Sequence, residues 1–534
     1  MPDSNLIKLP RAKSPEEVGV SSEAVLAMIN DINASQAEEH GFMIIRHGKV
    51  AAESFKKPYS ADMPHIMYSA SKPVTSTAIG FAVNEGLITT ETKVIDIFPE
   101  FRTKKNDEKL DKVTVKHLLT MSAGKMPNLL ANKTKDKWLN HFFDAKWIFD
   151  PGNGWEYINE NIFLLCAIIV RVTGKSVTEY LKPRLWDPLG IDSYFWETDP
   201  KGVESGGWGL FLSAESLGKF ALCYLQGGIF DNKQVIPAEW AKIAVLNHKN
   251  LNEDESPNED GGYGYCFWRE KGDRKSYRAE GMFSEIGIVF EDHDAIIVSL
   301  GGEMDSGKAH RFIFNNFPKG FIDSTSGTKT NAELEKAILN RENKALPAEK
   351  HSKFENIING KRIKFKYNML LNIIGFPMSV LPLASTYMTK DRAGNINNVT
   401  FKFNGNECKL TWSEGDETNT VICGMDGEYR KSSIKLASTK YTAFSCAAWS
   451  GENKLTVWII PVECIGKRIL EFEFNGKNVI MTPSTIPDLS VMVNSISGGV
   501  TQYVKNKLLI KSARKGLAII EKILEPVHNG TIKK

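Results

Sequence analysis

Tyr68-Ser69-Ala70-Ser71-Lys72-Pro73 places a serine hydroxyl one helical turn ahead of a lysine amine. Residues three apart share a helix face, so Lys72 Nζ can reach Ser69 Oγ and help remove its proton. Such a serine nucleophile needs no histidine. Spacing alone does not decide the matter, because Ser-x-x-Lys also begins at Ser54, Ser122, Ser216, Ser326, Ser432 and Ser512. Only at Ser69 does it open a long apolar helix with an extended stretch before it. Val74, Ala78, Ile79, Phe81, Ala82 and Val83 run from there toward a stop at Gly86. A serine at a helix N-terminus lies among free N–H groups and the positive end of the dipole, which favour a developing anion. The same position also suits a plain helix cap.

Working outward, Pro151-Gly152-Asn153-Gly154-Trp155-Glu156-Tyr157-Ile158-Asn159 precedes an apolar helix over residues 162–172 and contains the chain's one Tyr-x-Asn. A tyrosine and an amide two residues apart in a loop can point into one cleft. The phenol would then move a proton while the amide bonds both lysine and substrate.

Together these residues resemble the serine hydrolases of the penicillin-recognising fold, in particular the class C β-lactamase-related esterases and amidases. The likeness runs over about residues 14–318. Gly41-Phe42-Met43-Ile44-Ile45-Arg46-His47-Gly48-Lys49, Val115-Lys116-His117-Leu118-Leu119-Thr120-Met121-Ser122-Ala123-Gly124, Leu185-Trp186-Asp187-Pro188-Leu189-Gly190-Ile191 and Gly206-Gly207-Trp208-Gly209-Leu210-Phe211-Leu212-Ser213-Ala214 support it in order, without chemistry of their own.

The chain departs from the family's third element. There an inner strand carries Lys-Thr-Gly or His-x-Gly, and the N–H after the glycine completes an oxyanion hole. Here the matching run is Ala279-Glu280-Gly281-Met282, which keeps the glycine, lacks the cation, and resembles the branch holding 6-aminohexanoate oligomer hydrolases. Gly281 also reads as a bulge or a close packing point. Arg278, one residue before the run, could restore a cation if the register shifts.

The resemblance implies an α+β fold: a β-lactamase/transpeptidase-like domain, its antiparallel sheet packed with helices, over residues 1–330. The sheet would take residues 42–46 and 50–55 from the front, and residues 263–269, 283–290 and 295–300 from the back. It implies hydrolysis of a small ester or amide through an acyl-enzyme on Ser69, with no cofactor. Lys72 and Tyr157 would share the proton work and Asn159 would orient Lys72. The N–H groups of Ser69 and Met282, the latter beside Gly281, would hold the oxyanion. The alternative within the same fold is a ligand-binding or sensor module that is acylated slowly or not at all.

Composition sets bounds on this reading. At 534 residues and 42% hydrophobic content the chain can bury two cores. With 67 basic and 64 acidic residues, net +3, charge makes no case for nucleic acid. The start, Met1-Pro2-Asp3-Ser4-Asn5-Leu6-Ile7-Lys8-Leu9-Pro10, lacks a signal-peptide apolar core, and no apolar run approaches a membrane span. Seven cysteines without Cys-x-x-Cys read as reduced, packed thiols in a cytoplasmic protein. Ten histidines form no His-x-x-x-His pair, so no metal site is expected, and His65 reads as a loop or packing residue rather than a triad base.

Residues 331–353, rich in Glu, Lys, Asn and Ala, read as a linker with a solvated helix. Residues 354–498 alternate as strands split by Asn404-Gly405-Asn406, Ser450-Gly451-Glu452-Asn453 and Asn475-Gly476-Lys477-Asn478, giving an antiparallel β-rich accessory domain or small barrel. Trp412, Trp449 and Trp458 read as core or as a ligand cup. Residues 499–534 interleave lysines with leucines and isoleucines as a basic amphipathic tail, suited to packing on its own domain or to contact with anionic lipid.

Overall fold

The run Gly41-Phe42-Met43-Ile44-Ile45 forms the middle of strand β1 (Glu39–Arg46), every residue of which is buried. A strand apolar on both faces needs cover on both sides. The computed structural model, which describes residues 7–102, 108–127, 138–251, 260–272, 274–303, 305–323, 332–341, 345–348, 351–367, 396–414, 417–436, 439–488 and 526–533, supplies that cover. On one face Phe42 and Ile44 meet Val25, Met28, Ile29 and Ile32 of the helix Ser22–Ala34, joined by Phe312 and Ile313 of the helix Ser306–Asn316. On the other face the helix Ala214–Leu225 packs across the sheet, with Ile45 seated at Gly218.

The chain divides into two compact units, Met1–Ser54, Ala61–Leu300 and Asp305–Asn340 against Phe55–Ser60, Gly301–Met304 and Arg341–Lys534. In the first, β1 turns tightly into β2 (Lys49–Phe55). Short strands β3 (His65–Ile66), β4 (Phe195–Trp196) and β5 (Leu210–Leu212) form a small sheet with β5 in the middle. A hairpin follows, β6 (Ile229–Phe230) and β7 (Lys233–Gln234). The main sheet is completed by β8 (Lys249–Asn250), β9 (Asp260–Tyr263), β10 (Trp268–Glu270), β11 (Ser276–Gly281), β12 (Glu285–Phe290) and β13 (Ala295–Gly301). Its order is β2-β1-β13-β12-β11-β10-β9-β8, so strands from the front and back of this unit meet at β1 and β13. This is the α+β architecture that the resemblance implies.

Local detail departs from expectation at three places. Residues 263–269 are not one strand: the chain turns between β9 and β10, where Cys266 has φ 70° and the Tyr265 N–H donates to the Ala244 carbonyl. Tyr265 and Phe267 are thereby buried in the core instead of alternating along a strand. Phe283 and Ser284 do not begin β12; both have left-handed φ, 73° and 76°, in the tight turn from β11. The linker helix, Ala332–Leu339, is not solvated throughout: Leu334 is buried in the core beside the helix Ser22–Ala34, with Ala337 and Ile338 against the same cluster. Their i, i+3, i+4 spacing makes an apolar stripe that the surrounding charges obscure in sequence.

The second unit is a ten-stranded sheet. Its strands are β14 (Arg362–Phe365), β15 (Ile396–Asn404), β16 (Glu407–Glu414), β17 (Glu417–Gly424), β18 (Arg430–Leu436), β19 (Thr439–Trp449), β20 (Lys454–Pro461), β21 (Lys467–Asn475), β22 (Asn478–Ile486) and β23 (His528–Ile532). The order is β17-β16-β15-β14-β23-β22-β21-β20-β19-β18, and a bridge from Gly424 to Cys446 ties β17 to β19, curling the sheet back on itself like a barrel. Gly405, Gly451 and Gly476 take left-handed φ in the three hairpin turns marked in the sequence. Trp412 and Trp449 are core residues, their indole N–H groups donating to Glu414 and Glu355. Of the expected basic tail, residues 499–525 lie outside the described residues, while His528–Ile532 pairs with both β14 and β22. All seven cysteines are free and buried.

Candidate active site

Ser69 lies in a 3-10 turn, Tyr68–Ser71, that runs straight into the helix Lys72–Asn84. Ser71 fastens this turn: its hydroxyl donates to the Tyr68 carbonyl at 2.6 Å and accepts from the Leu210 N–H. The Met67 N–H donates to the Leu210 carbonyl at 2.7 Å, tying the approach to Ser69 to β5. Tyr68 pays for the sharpness of the turn with φ 42°, an unusual conformation for a bulky residue.

Lys72 is buried, and its Nζ has three partners: Ser69 Oγ at 2.9 Å, Asn159 Oδ1 at 2.7 Å and the Gly207 carbonyl oxygen at 2.8 Å. A neutral amine has two N–H donors and one lone pair. The two carbonyl-type oxygens can only accept, so they take the N–H groups and leave the lone pair for the Ser69 hydroxyl. Burial pulls the Lys72 pKa down to about 7, against the opposing pull of Cys266 and Glu160.

Asn159 opens the buried helix Asn159–Thr173, which packs on the helix Lys72–Asn84. Tyr157, two residues earlier, hydrogen-bonds Ser69 and places its ring centre 4.7 Å from Lys72 Nζ. Burial pushes its phenol well above the usual tyrosine range, so it keeps its proton. Its ring stacks on Trp268 at 5.4 Å, and Trp155 and Tyr263 complete an aromatic wall.

Gly281 ends β11 directly against the Ser69 turn. A β-carbon there would overlap the Met67 carbonyl oxygen, so the close approach requires glycine. Met282 follows in the turn and is 46% exposed. The structure thus brings Ser69, Lys72, Tyr157 and Asn159 together, with Gly281 and Met282 on the adjoining turn. Gly207 was not expected at the site: its contribution is a backbone carbonyl, and the run Gly206-Gly207-Trp208-Gly209 announces close packing rather than an acceptor. A β-carbon on Gly207 would come within 2.8 Å of Asn159 Oδ1.

Arg278, the cation that precedes the third element, is fully buried. Its guanidinium pairs with Glu270 and, at 2.6 Å, with Glu280, which also meets His310 at 3.1 Å. Burial pushes the Glu280 carboxyl up, but Arg278 and His310 outweigh it and hold the pKa at about 2. Among the described residues no group of three or more His, Cys, Asp or Glu side chains is placed to hold a metal ion. No single helix among them is long and apolar enough to cross a membrane.

The beta-lactamase family model matches residues 29–310, more than half of the chain. The chain belongs to the β-lactamase family. A 6-aminohexanoate-dimer hydrolase of Paenarthrobacter ureafaciens is 23% identical over 323 residues, covering 56% of this chain and 81% of the relative. A lovastatin esterase of Penicillium rubens is 29% identical over 167 residues, covering 26% of this chain and 42% of the relative. A penicillin-binding protein homologue from Caulobacter crescentus superposes with TM-score 0.46 at 18% identity, covering 56% of this chain and 99% of that one. As a member of the β-lactamase family, with hydrolases and esterases among its relatives, the protein is a serine hydrolase.

Proposed function

We propose that this protein hydrolyses a small ester or amide through an acyl-enzyme on Ser69. The observation that carries the reading is the threefold engagement of Lys72 Nζ, which directs its lone pair at Ser69 and readies an acceptor for every N–H once it becomes an ammonium. Ser69 Oγ attacks the carbonyl carbon as its proton passes to Lys72. The backbone N–H groups of Ser69 and Met282 hold the oxyanion, each such donor being worth about 3 to 4 kcal/mol. As the tetrahedral intermediate collapses, the bond to the leaving oxygen or nitrogen breaks. Tyr157 gives that atom its proton and recovers one from Lys72. Water then attacks the acyl-serine by the same route in reverse, releasing the acid and restoring the hydroxyl.

Relatives named as a 6-aminohexanoate-dimer hydrolase and as esterases support both bond types. The aromatic wall and the committed state of Arg278 favour a neutral substrate. A fluorophosphonate is the direct test: it should label the protein once, on the peptide containing Ser69, and Ser69→Ala should abolish both labelling and turnover of a nitrophenyl ester. Retention of both in that variant would overturn the assignment.

A further inference from the structure

Two strained turns meet beside Ser69. Tyr68, with φ 42°, sets its ring 4.8 Å from that of Phe283, with φ 73°, while Gly281 lies against the Met67 carbonyl. Beneath them runs a buried polar chain. His40 Nδ1 is 3.0 Å from His65 Nε2, and His65 Nδ1 is 3.1 Å from the Ile66 carbonyl and 3.7 Å from Glu285 Oε1. The three side chains are all but fully buried, at 1%, 2% and 0% exposure. Glu285 opens β12 directly opposite Gly281, so it closes the turn that carries Met282. His65 lies in β3, two residues before Met67, so it belongs to the segment that delivers Ser69.

The partners assign the protons. The Ile66 carbonyl can only accept, so His65 carries its hydrogen on Nδ1 and presents Nε2 as an acceptor to the His40 Nδ1–H. Burial, and then the neighbouring His40, keep His65 neutral. The imidazole, with its tautomer fixed, is therefore hydrogen-bonded to β1 through His40 and to the segment before Ser69 through the Ile66 carbonyl, and lies 3.7 Å from Glu285 at the second turn.

We propose that His65, hydrogen-bonded to His40 and packed in the buried space beside Glu285, is a positioning residue that locks the Ser69 turn to the Gly281–Glu285 turn. The proposal rests on the hydrolase reading above, in which the N–H groups of those two turns hold the oxyanion. A lock of this kind acts on the transition state more than on the bound substrate, since small misplacements of the donors weaken the interaction that grows during attack.

The test compares His65→Leu, which removes the polar link, with His65→Asn, which keeps a donor near Nδ1. On a neutral nitrophenyl ester, kcat should fall by about a hundredfold in folded His65→Leu with KM within about twofold of wild type, and His65→Asn should recover at least about tenfold. Wild-type kcat in folded His65→Leu, or equal losses in the two variants, would overturn the lock. If neither variant folds, nitrogen-15 histidine spectra of the wild-type chain decide: the His65 and His40 resonances should move when a phosphonate occupies Ser69, and unmoved resonances would refute the coupling. A wild-type chain inert to esters and to the phosphonate would instead overturn the hydrolase reading, and the lock with it.

Discussion

Lys72 sets the pH behaviour of the proposed reaction. Its pKa is depressed from the ordinary 10.5 to about 7 by burial, so the free amine needed as base is lost below that value. Turnover should rise as pH increases through about 7, while Tyr157 stays protonated across the same range; a profile that instead falls through pH 7 would assign the base elsewhere. The folded state holds this proton less tightly than the unfolded chain, so the same group makes stability increase with pH between about 7 and 10.5. Lys72→Ala and Tyr157→Phe should each lower kcat by about a hundredfold or more. Their combined effect should be less than multiplicative, because one proton passes between them, and fully independent losses in the double variant would contradict that coupling. Charge at the third element governs selectivity. Arg278 is neutralised by Glu270 and Glu280, so its charge is already committed and is not offered to the carboxylate of a β-lactam. A chromogenic cephalosporin should therefore be turned over at least about a hundredfold less efficiently than a neutral nitrophenyl ester; comparable kcat/KM values would show that another group holds the carboxylate.

At the level of elements, the site depends on how closely β11 approaches the turn before the helix Lys72–Asn84. Gly281→Ala would push a methyl into the Met67 carbonyl, and neither backbone can yield without moving Ser69 or Met282. The variant should lose about 1 to 3 kcal/mol of stability and a larger share of kcat than of substrate affinity, read from thermal melts and steady-state kinetics. Unchanged melting and turnover would mean that the strand end is slack. Much of this arrangement was legible in sequence where side chains carry the chemistry: the Ser69 to Lys72 spacing, the Tyr157 and Asn159 pair, and the glycine after Glu280. What was not legible depends on backbone or on distant partners. The Gly207 acceptor is a carbonyl that every residue possesses. The fate of Arg278 depends on Glu270, on the neighbouring strand, and the His40 to Glu285 chain joins three strands remote in sequence. Residues 263–269 read as a strand because their apolar content hides a turn whose amides pair with Ala244 and Leu119.

For the whole molecule, the first unit has its own closed core, from the helix Ser22–Ala34 to Leu334 in the helix Ala332–Leu339. A chain ending at Asn340 should fold and retain hydrolysis of a small activated ester, whereas a folded but inactive truncation would show that the second unit supplies part of the site. Ending the chain before Ala332 should lower the melting temperature, because Leu334 leaves the core. The second unit was readable as antiparallel strands, but the place of β23 was not, since nothing in His528–Ile532 announces which neighbours it joins. That place has a consequence for the order of events at the ribosome. Ile363 pairs with Ile532, in the interior of the ten-stranded sheet, so β14 and β22 have no common neighbour until the residues of β23 have been synthesised. Every strand of the main catalytic sheet precedes residue 302, so that sheet can form co-translationally, while the curled sheet must close late and through contacts of long sequence separation. During that interval β14 and β22 are bare edges of the kind that can pair with another nascent chain.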